Sequence, residues 1–216
     1  MARKTKEEAL ETRHRLLDTA EDVFHQKGVS QTTLNDIACA AGMTRGAIYW
    51  HFKNKVDLFN AMCDRITLPL ESMSEASASD AVEDPLGELR ETARYLFERV
   101  ATDVHTRRVF DILFNKCEFV ADLGPILERD KRVRGEFEQR FERTFRNAIR
   151  RGQLPADINP RLVVNSYHSF VKGILRSWLL EPDSFDLQQD GNRMMDGFYE
   201  MLRVSVALRD KPGLQQ

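Results

Sequence analysis

The sequence predicts an all-α protein of about nine helices. Three observations carry that reading. Apolar residues recur at spacings of three and four, and no stretch alternates apolar and polar as a half-buried strand does. Helix-start pairs such as Thr33/Asp36, Asp84-Pro85 and Asn159-Pro160 open successive segments. Glycines close several of them, at Gly28, Gly42 and Gly152, where a left-handed backbone is needed. With 42% hydrophobic and 31% charged residues, the chain has enough apolar surface for a core and enough charge for solvated helix faces.

Taken in order, Thr5 with Glu8 and then Thr12 offer starts for a first helix. Its apolar face is Leu16, Leu17, Ala20, Val23 and Phe24, and it stops at Gly28. Thr33-Leu-Asn-Asp36 is a capping box for a short second helix with Leu34, Ile37, Ala38 and Ala41 inward. After Gly42, Thr44 caps a third helix, Arg45 to Phe52, with Met43 and Ile48 as a hydrophobic staple. Asn54 and Asp57 open a fourth through Leu58, Phe59 and Met62, for which Pro69 predicts a kink or an end. The Ser/Ala-rich acidic stretch 72–84 reads as a frayed helix end and loop. Further helices are predicted over about 85–101, 107–115, 123–151, 159–180 and 188–206, with 181–184 a turn and 209–216 a flexible tail.

Several function classes are excluded at this stage. A net charge of −2 argues against a basic coat but not against a local basic patch. No apolar stretch approaches the roughly 20 residues of a membrane helix, and residues 1–12 lack the apolar core of a signal peptide, so a cytoplasmic protein without a membrane partner is expected. Cys39, Cys63 and Cys117 are widely spaced and form no CxxC pair, which reads as three free thiols with no metal site. No GxSxG, GxGxxG, P-loop or HExxH is present, so neither catalysis nor a cofactor is expected.

The densest chemistry lies in the motif 33–52. Two short capped helices joined by a tight Gly42 turn form a helix-turn-helix, whose second helix lies in the DNA major groove. With Ile48 and Phe52 inward, Arg45, Gly46, Tyr49 and Trp50 face outward. An outward Tyr-Trp pair suits sugar and phosphate, since each ring carries a donor. Gly46 keeps the helix start thin against the groove. His51, Lys53 and Lys55 gather at the helix end to meet a phosphate. From Ser30 to Lys55 the formal charge is +2: Arg45, Lys53 and Lys55 against Asp36.

Thr33-Leu-Asn-Asp-Ile-Ala, Ala-Gly42-Met-Thr-Arg-Gly-Ala-Ile-Tyr-Trp-His-Phe52 and Asn54-Lys55 closely resemble the DNA-binding domain of the TetR family. Arg3-Lys-Thr-Lys-Glu-Glu, Lys116-Cys-Glu-Phe119, Arg151-Gly-Gln-Leu-Pro155, Trp178-Leu-Leu and Pro182-Asp-Ser-Phe-Asp-Leu187 extend the likeness over nearly the whole chain, to the AcrR/TtgR/SmeT subgroup that represses multidrug efflux-pump operons. The resemblance implies that Thr33, Thr44, Arg45, Gly46, Tyr49, Trp50, His51 and Lys55 touch or orient double-stranded operator DNA, with Asn35 where some relatives carry a base-reading side chain. It implies a DNA-binding domain over 1–54, a larger ligand-binding and dimerisation domain over 55–208, and a homodimer formed through the last two helices.

A small apolar or aromatic effector is the implied inducer. Its candidate contacts are Leu96, Phe110, Phe114, Asn115, Phe137, Phe141, His168, Val171, Lys172 and Arg176. For most of the phenylalanines, ordinary core packing is the competing reading. His168, Lys172 and Arg176 stand four apart on one helix, and a charged pair turned inward is costly unless it meets a partner or ligand; the equal alternative is that this face is simply solvated. Two rivals stand beside this reading: a family member sensing an acyl thioester or lipid, and a helical carrier whose reading head no longer binds DNA.

Overall fold

The computed structural model describes residues 6–117 and 124–210, apart from the side chain of Leu127. Among these residues there are nine α-helices and no strand. The motif residues 3–5, 118 and 119, residue 123 at the expected start of the long helix, and most of the expected tail lie outside them. The chain divides into two compact units: residues 1–68 with 103–131, and residues 69–102 with 132–216.

In the first unit, α1 (Lys6–Lys27) buries Leu16, Leu17, Ala20, Val23 and Phe24, the face its spacing predicts. Gly28, at φ +82°, closes it with an N–H to the carbonyl of Phe24. α2 (Leu34–Ala40) has the complete capping box. The Thr33 hydroxyl accepts from the Asp36 amide, and the Asp36 carboxylate accepts from the Thr33 amide at 2.8 Å. Gly42 makes the turn at φ +65°, a backbone conformation that costs a residue with a Cβ about 1 kcal/mol or more. α3 (Arg45–His51) is capped by Thr44, with Ile48 fully buried and Met43 packed against the same core. Two cations on α1 brace this motif: Arg15 donates to the Ala41 carbonyl at 3.0 Å, and Arg13 lies over the Phe52 ring at 4.8 Å.

α4 runs from Lys55 to Ser77, eight residues past Pro69, so the expected end near the proline and the expected loop from Ser72 are both corrected. Pro69 sits on an exposed turn with Arg65 and Leu68, where the loss of one helix hydrogen bond is tolerated. The small side chains that read as a loop are what let the helix pack. Ser74, Ser77 and Ala78 are fully buried, the Ser77 and Thr144 hydroxyls bond at 3.2 Å, and the Asn147 amide donates to the carbonyls of Ala78 and Ser79. These contacts belong to the second unit, which holds α4 from Pro69 onward.

α5 (Pro85–Thr102) opens on Asp84, whose carboxylate accepts from the Gly87 amide at 2.9 Å. α6 (Val104–Asp111) starts three residues earlier than expected because Asp103 caps it. It continues as a π-helical turn, Ile112–Lys116, whose last carbonyl accepts from the Val29 amide. α7 (Gly124–Arg150), α8 (Pro160–Leu180) and α9 (Gln189–Val204) follow, with a 3-10 turn at Val206–Leu208. The core of the second unit is aromatic: Tyr167 of α8 contacts Phe141, Phe145 and Phe198 at centroid distances of 5.2, 5.9 and 6.0 Å. Arg209 and Asp210, expected in the loose tail, are tied down. The Arg209 guanidinium donates to Asp157 and to the Arg203 carbonyl, each at 2.8 Å, and the Asp210 carboxylate accepts from the Asn159 amide nitrogen at 2.6 Å.

Candidate nucleic-acid interface

The surface of α3 carries the groups expected there. Trp50 is 72% exposed and Tyr49 47%, the largest aromatic exposures among the described residues. Burying either ring on folding would remove apolar area from water, so their position outside the core leaves them available to a partner. They are held rather than floppy. The Trp50 ring meets His51 edge-on at 4.6 Å, and the Arg45 guanidinium lies 5.4 Å from the Tyr49 ring centre. The helix is fixed at both ends: the exposed Thr44 caps its start by accepting from the Ala47 amide, and Ile48 and Phe52 lie in the core. Arg45 and Gly46 are exposed on the first turn, where a helix entering a groove makes its base contacts.

Other candidates are placed more specifically than the sequence allowed. The Thr33 hydroxyl is engaged in the capping box, so its part in any DNA contact is to set the start of α2. Asp36 is held below the usual carboxylate range by the Thr33 hydroxyl and amide, and then by Lys27. Asn35 is exposed, its amide donating to the Cys39 sulfur at 3.8 Å. Lys55 is half-buried, and its ammonium donates to the carbonyls of Val29 at 2.8 Å and Ser30 at 3.2 Å. It ties the start of α4 to the turn after α1. Lys53, two residues earlier, is exposed.

The effector candidates fall in both units. In the first, Phe110 is buried, its ring 5.7 Å from that of half-buried Phe114, and the Asn115 amide donates to the Asp111 carboxylate at 2.7 Å. In the second, Phe141 is buried while Leu96, Phe137, His168 and Val171 are half-buried. Lys172 and Arg176 are exposed, so the inward-turned charged pair is not what the chain forms. The face of α8 that packs inward is Val163, Val164, Tyr167, Ile174, Leu175 and Trp178. The second unit also has an open cleft of about 540 Å³ whose lining mixes the charged Arg143, Arg146 and Arg150 with the apolar Ile149, Ile158 and Pro160, and it includes none of the effector candidates.

Among the described residues, one group has the chemistry of a metal site: Asp18, Glu21 and His105, with ligand atoms within 4.8 Å of one another. Arg65 already fills the cation's place, its guanidinium 2.7 Å from Asp18 and 3.5 Å from Glu21. Its members span 87 positions, Asp18 to His105, so no local spacing brings them together. Cys63 is buried and its thiol is pushed up to about 12, which makes it a packing residue rather than a nucleophile. No helix of the described residues is long and apolar enough to cross a membrane.

Comparison with known proteins agrees with this geometry. Residues 16–62 match the family described as bacterial regulatory proteins, tetR family, and residues 84–204 match the C-terminal region of MAATS-type transcriptional repressors. The chain is 41% identical over 209 residues to the HTH-type transcriptional regulator TtgR of Pseudomonas putida, covering 97% of this chain and all of that one. Among solved structures, NalD, the secondary repressor of the MexAB-OprM multidrug efflux pump in Pseudomonas aeruginosa, superposes with a TM-score of 0.82 at 34% identity, over 93% of this chain and all of that one. A complex of SmeT, a Stenotrophomonas maltophilia repressor, with triclosan gives 0.81 at 30% identity, over 95% and 98% of the two chains. The protein is a member of the TetR family of bacterial transcriptional regulators.

Proposed function

We propose that the chain is a ligand-responsive repressor of a multidrug efflux-pump operon, and of its own gene, acting in the cytoplasm. A homodimer grips a pseudo-palindromic operator, and a small apolar or aromatic compound releases it. The observation that carries the reading is the outer face of α3, an exposed Arg45-Tyr49-Trp50 surface on a short helix fixed at both ends. In this scheme residues 1–54 are the reading head. Arg45 and Tyr49 contact the operator directly, Trp50, His51 and Gly46 fit the helix to the backbone, and Thr33, Thr44 and Lys55 position the two helices. Asn35 faces outward on α2, where it reaches a base or phosphate.

The relatives support the operon class, since NalD is an efflux-pump repressor. Dimerisation is supported by α8 and α9. Their inward residues Tyr167, Ile174, Trp178, Met195, Phe198 and Leu202 are buried within the chain, while Leu162, Phe170, Leu180, Met194, Met201 and Val204 remain exposed. An apolar set of that size on two adjacent helices is rarely left to water. The effector class is supported by the aromatic second unit and by SmeT's complex with triclosan. Phe137, His168 and Val171 are the half-buried contacts proposed there, and Phe114 those of the first unit. Release requires the effector to favour a conformation that binds operator less well. α4 passes unbroken from the first unit, at Leu68, to the second, at Pro69, as α7 does between residues 131 and 132, and we take α4 as the covalent route for that signal because it starts next to the reading motif.

A mobility-shift titration with the DNA upstream of the protein's own gene, with and without triclosan, tests this. Expected are a shift at low protein concentration, its loss in Tyr49→Ala, and its reversal by the compound. No shift at low salt with any segment of that DNA overturns the reading.

A further inference from the structure

In the second unit the end of α7 and the turn that leads into α8 both line the open cleft of about 540 Å³. That volume falls within the range of small-molecule sites, about 300–1,000 Å³. Arg143, Arg146 and Arg150 stand on the last turns of α7 at spacings of three and four, and so share a face. Ile149 of α7, with Ile158 and Pro160 of the turn, supplies apolar surface. Both sides are fixed. The buried Asn147 amide donates to the carbonyls of Ala78 and Ser79 at 3.3 and 3.2 Å, and Thr144 bonds Ser77. On the turn, Ile158 pairs with Arg209 in an isolated bridge, and Asn159 both caps α8 and donates to Asp210. A ligand therefore meets a cleft already formed, which spares the cost of ordering it.

The three guanidiniums are not held alike. Arg150 meets Asp80 at 2.7 Å, and Arg146 meets Glu142, one turn back on its own helix, at 2.5 Å. Arg143 stands 3.9 Å from Glu75, a carboxylate that Arg140 already takes at 2.9 Å. All three side chains are more than half exposed, at 56, 60 and 63%, where ion pairs are weak and exchange readily for another anion. The second carboxylate of the lining, Asp210, is engaged by Asn159. Over the lining, three arginines stand against Asp80 and Asp210, which leaves one positive charge. One negative charge balances it, whereas a polyanion would be repelled by the two aspartates. Pro160 is the first residue of α8, so the positive end of that helix dipole also lies at the cleft.

We propose that this cleft binds an organic monoanion: a carboxylate held by the guanidiniums of Arg143 and Arg146, on an apolar body that lies against Ile149, Ile158 and Pro160. Guanidinium and carboxylate match in geometry as well as in charge, and the apolar body gains by leaving water. None of the effector candidates lines the cleft, so it is a second ligand site, separate from the contacts proposed for the apolar inducer. It does not depend on the operator-binding reading.

Titration calorimetry of the whole protein with naphthoate tests the site, with naphthol as the uncharged counterpart and acetate as the one without an apolar body. Naphthoate should bind once per chain. Naphthol and acetate should each bind at least about tenfold more weakly, since one lacks the charge-assisted hydrogen bonds and the other the apolar burial. Arg143→Gln/Arg146→Gln should weaken naphthoate by about tenfold or more. Ala156→Glu, which adds a negative charge at an exposed position of the lining, should weaken it likewise. Lys131→Gln/Arg132→Gln removes two exposed cations of α7 outside the cleft and should leave the affinity within about twofold. All of these positions are exposed, so the fold is retained in each variant. No saturable binding of naphthoate at millimolar concentration overturns the site. So does an affinity unchanged in both cleft variants, or lost equally in the control pair. Naphthol binding as tightly as naphthoate overturns the anion, and acetate doing so overturns the apolar body. Binding lost in Phe137→Ala but kept in Arg143→Gln/Arg146→Gln puts naphthoate among the effector contacts and overturns a separate site.

Discussion

Replacing Lys55 by alanine separates two roles that a lysine beside a recognition helix can have. Its ammonium donates to the carbonyls of Val29 and Ser30 at 2.8 and 3.2 Å, and the side chain is half-buried. A hydrogen bond to a charged group contributes about 1.5–3 kcal/mol when buried and less when water can substitute. Two such bonds at a half-buried site, losing part of their strength to solvent, give a loss of about 2 kcal/mol. For a chain of this size that is roughly 4–8 °C in Tm. Lys53→Ala, at an exposed position, should leave Tm unchanged and lower the salt dependence of operator binding by about one ion, as for one lost phosphate contact. Differential scanning calorimetry and anisotropy titrations over several salt concentrations measure both quantities on the same proteins. Lys55→Ala should lower Tm, weaken operator more than random DNA because α3 is less well held, and leave the salt slope unchanged. An unaltered Tm with a flattened slope in Lys55→Ala would show that the ammonium reaches phosphate, and the structural assignment would be wrong.

Arg45→Ala and Tyr49→Ala should each abolish specific operator binding with Tm within about 1 °C of wild type, since both side chains are exposed; unchanged mobility-shift affinity would remove α3 from the interface. Sedimentation should give a species of twice the 25.0 kDa chain mass, and Met201→Glu with Val204→Glu should shift it toward monomer; a monomeric wild type at micromolar concentration would exclude the two-fold operator model. Phe137→Ala should alter triclosan affinity by calorimetry while operator affinity of the ligand-free protein stays within about twofold, and triclosan and operator should weaken one another by the same factor, as linkage requires. Asp84 is held low by the Gly87 amide and then by Gln153, so its contribution is present above the ordinary carboxylate value and lost as pH falls through its folded one. Asp84→Asn should therefore flatten the acid limb of the stability profile, and an unchanged limb would dismiss the cap as a contributor.

What the sequence showed plainly was local. Each signal that placed α2 and α3 spans at most six residues: Thr33 to Asp36, Gly42, and Met43 to Ile48. Caps and staples act over one helical turn, so their geometry follows from residue type and spacing alone. The outward set on α3 follows likewise, because fixing Ile48 and Phe52 inward fixes where Arg45, Tyr49 and Trp50 point. Composition was the poorer guide. In 72–77 serine and alanine suggested a loop, yet their small size is what allows α4 to reach Thr144 and Asn147 of α7, and no property of residues 72–77 taken alone announces that partner.

The same limit explains why identical residues take different work. Lys53 and Lys55 are two positions apart at the end of one motif, and by charge and spacing both suit a phosphate. Lys55 is turned to the carbonyls of Val29 and Ser30, which lie 26 and 25 positions away and are brought to it by the packing of α1. Glu21 and His105 are 84 positions apart, so no spacing between them marks the pair. A carboxylate on the buried face of α1 breaks the helix's own apolar pattern, and that violation is the one trace such a pair leaves in a sequence. Glu21 stands beside Ala20 and three positions before Phe24, both fully buried, where an apolar residue is the ordinary choice. An acidic residue on an apolar helix face therefore points to a distant polar partner, and His105 and Arg65 are the partners the fold supplies.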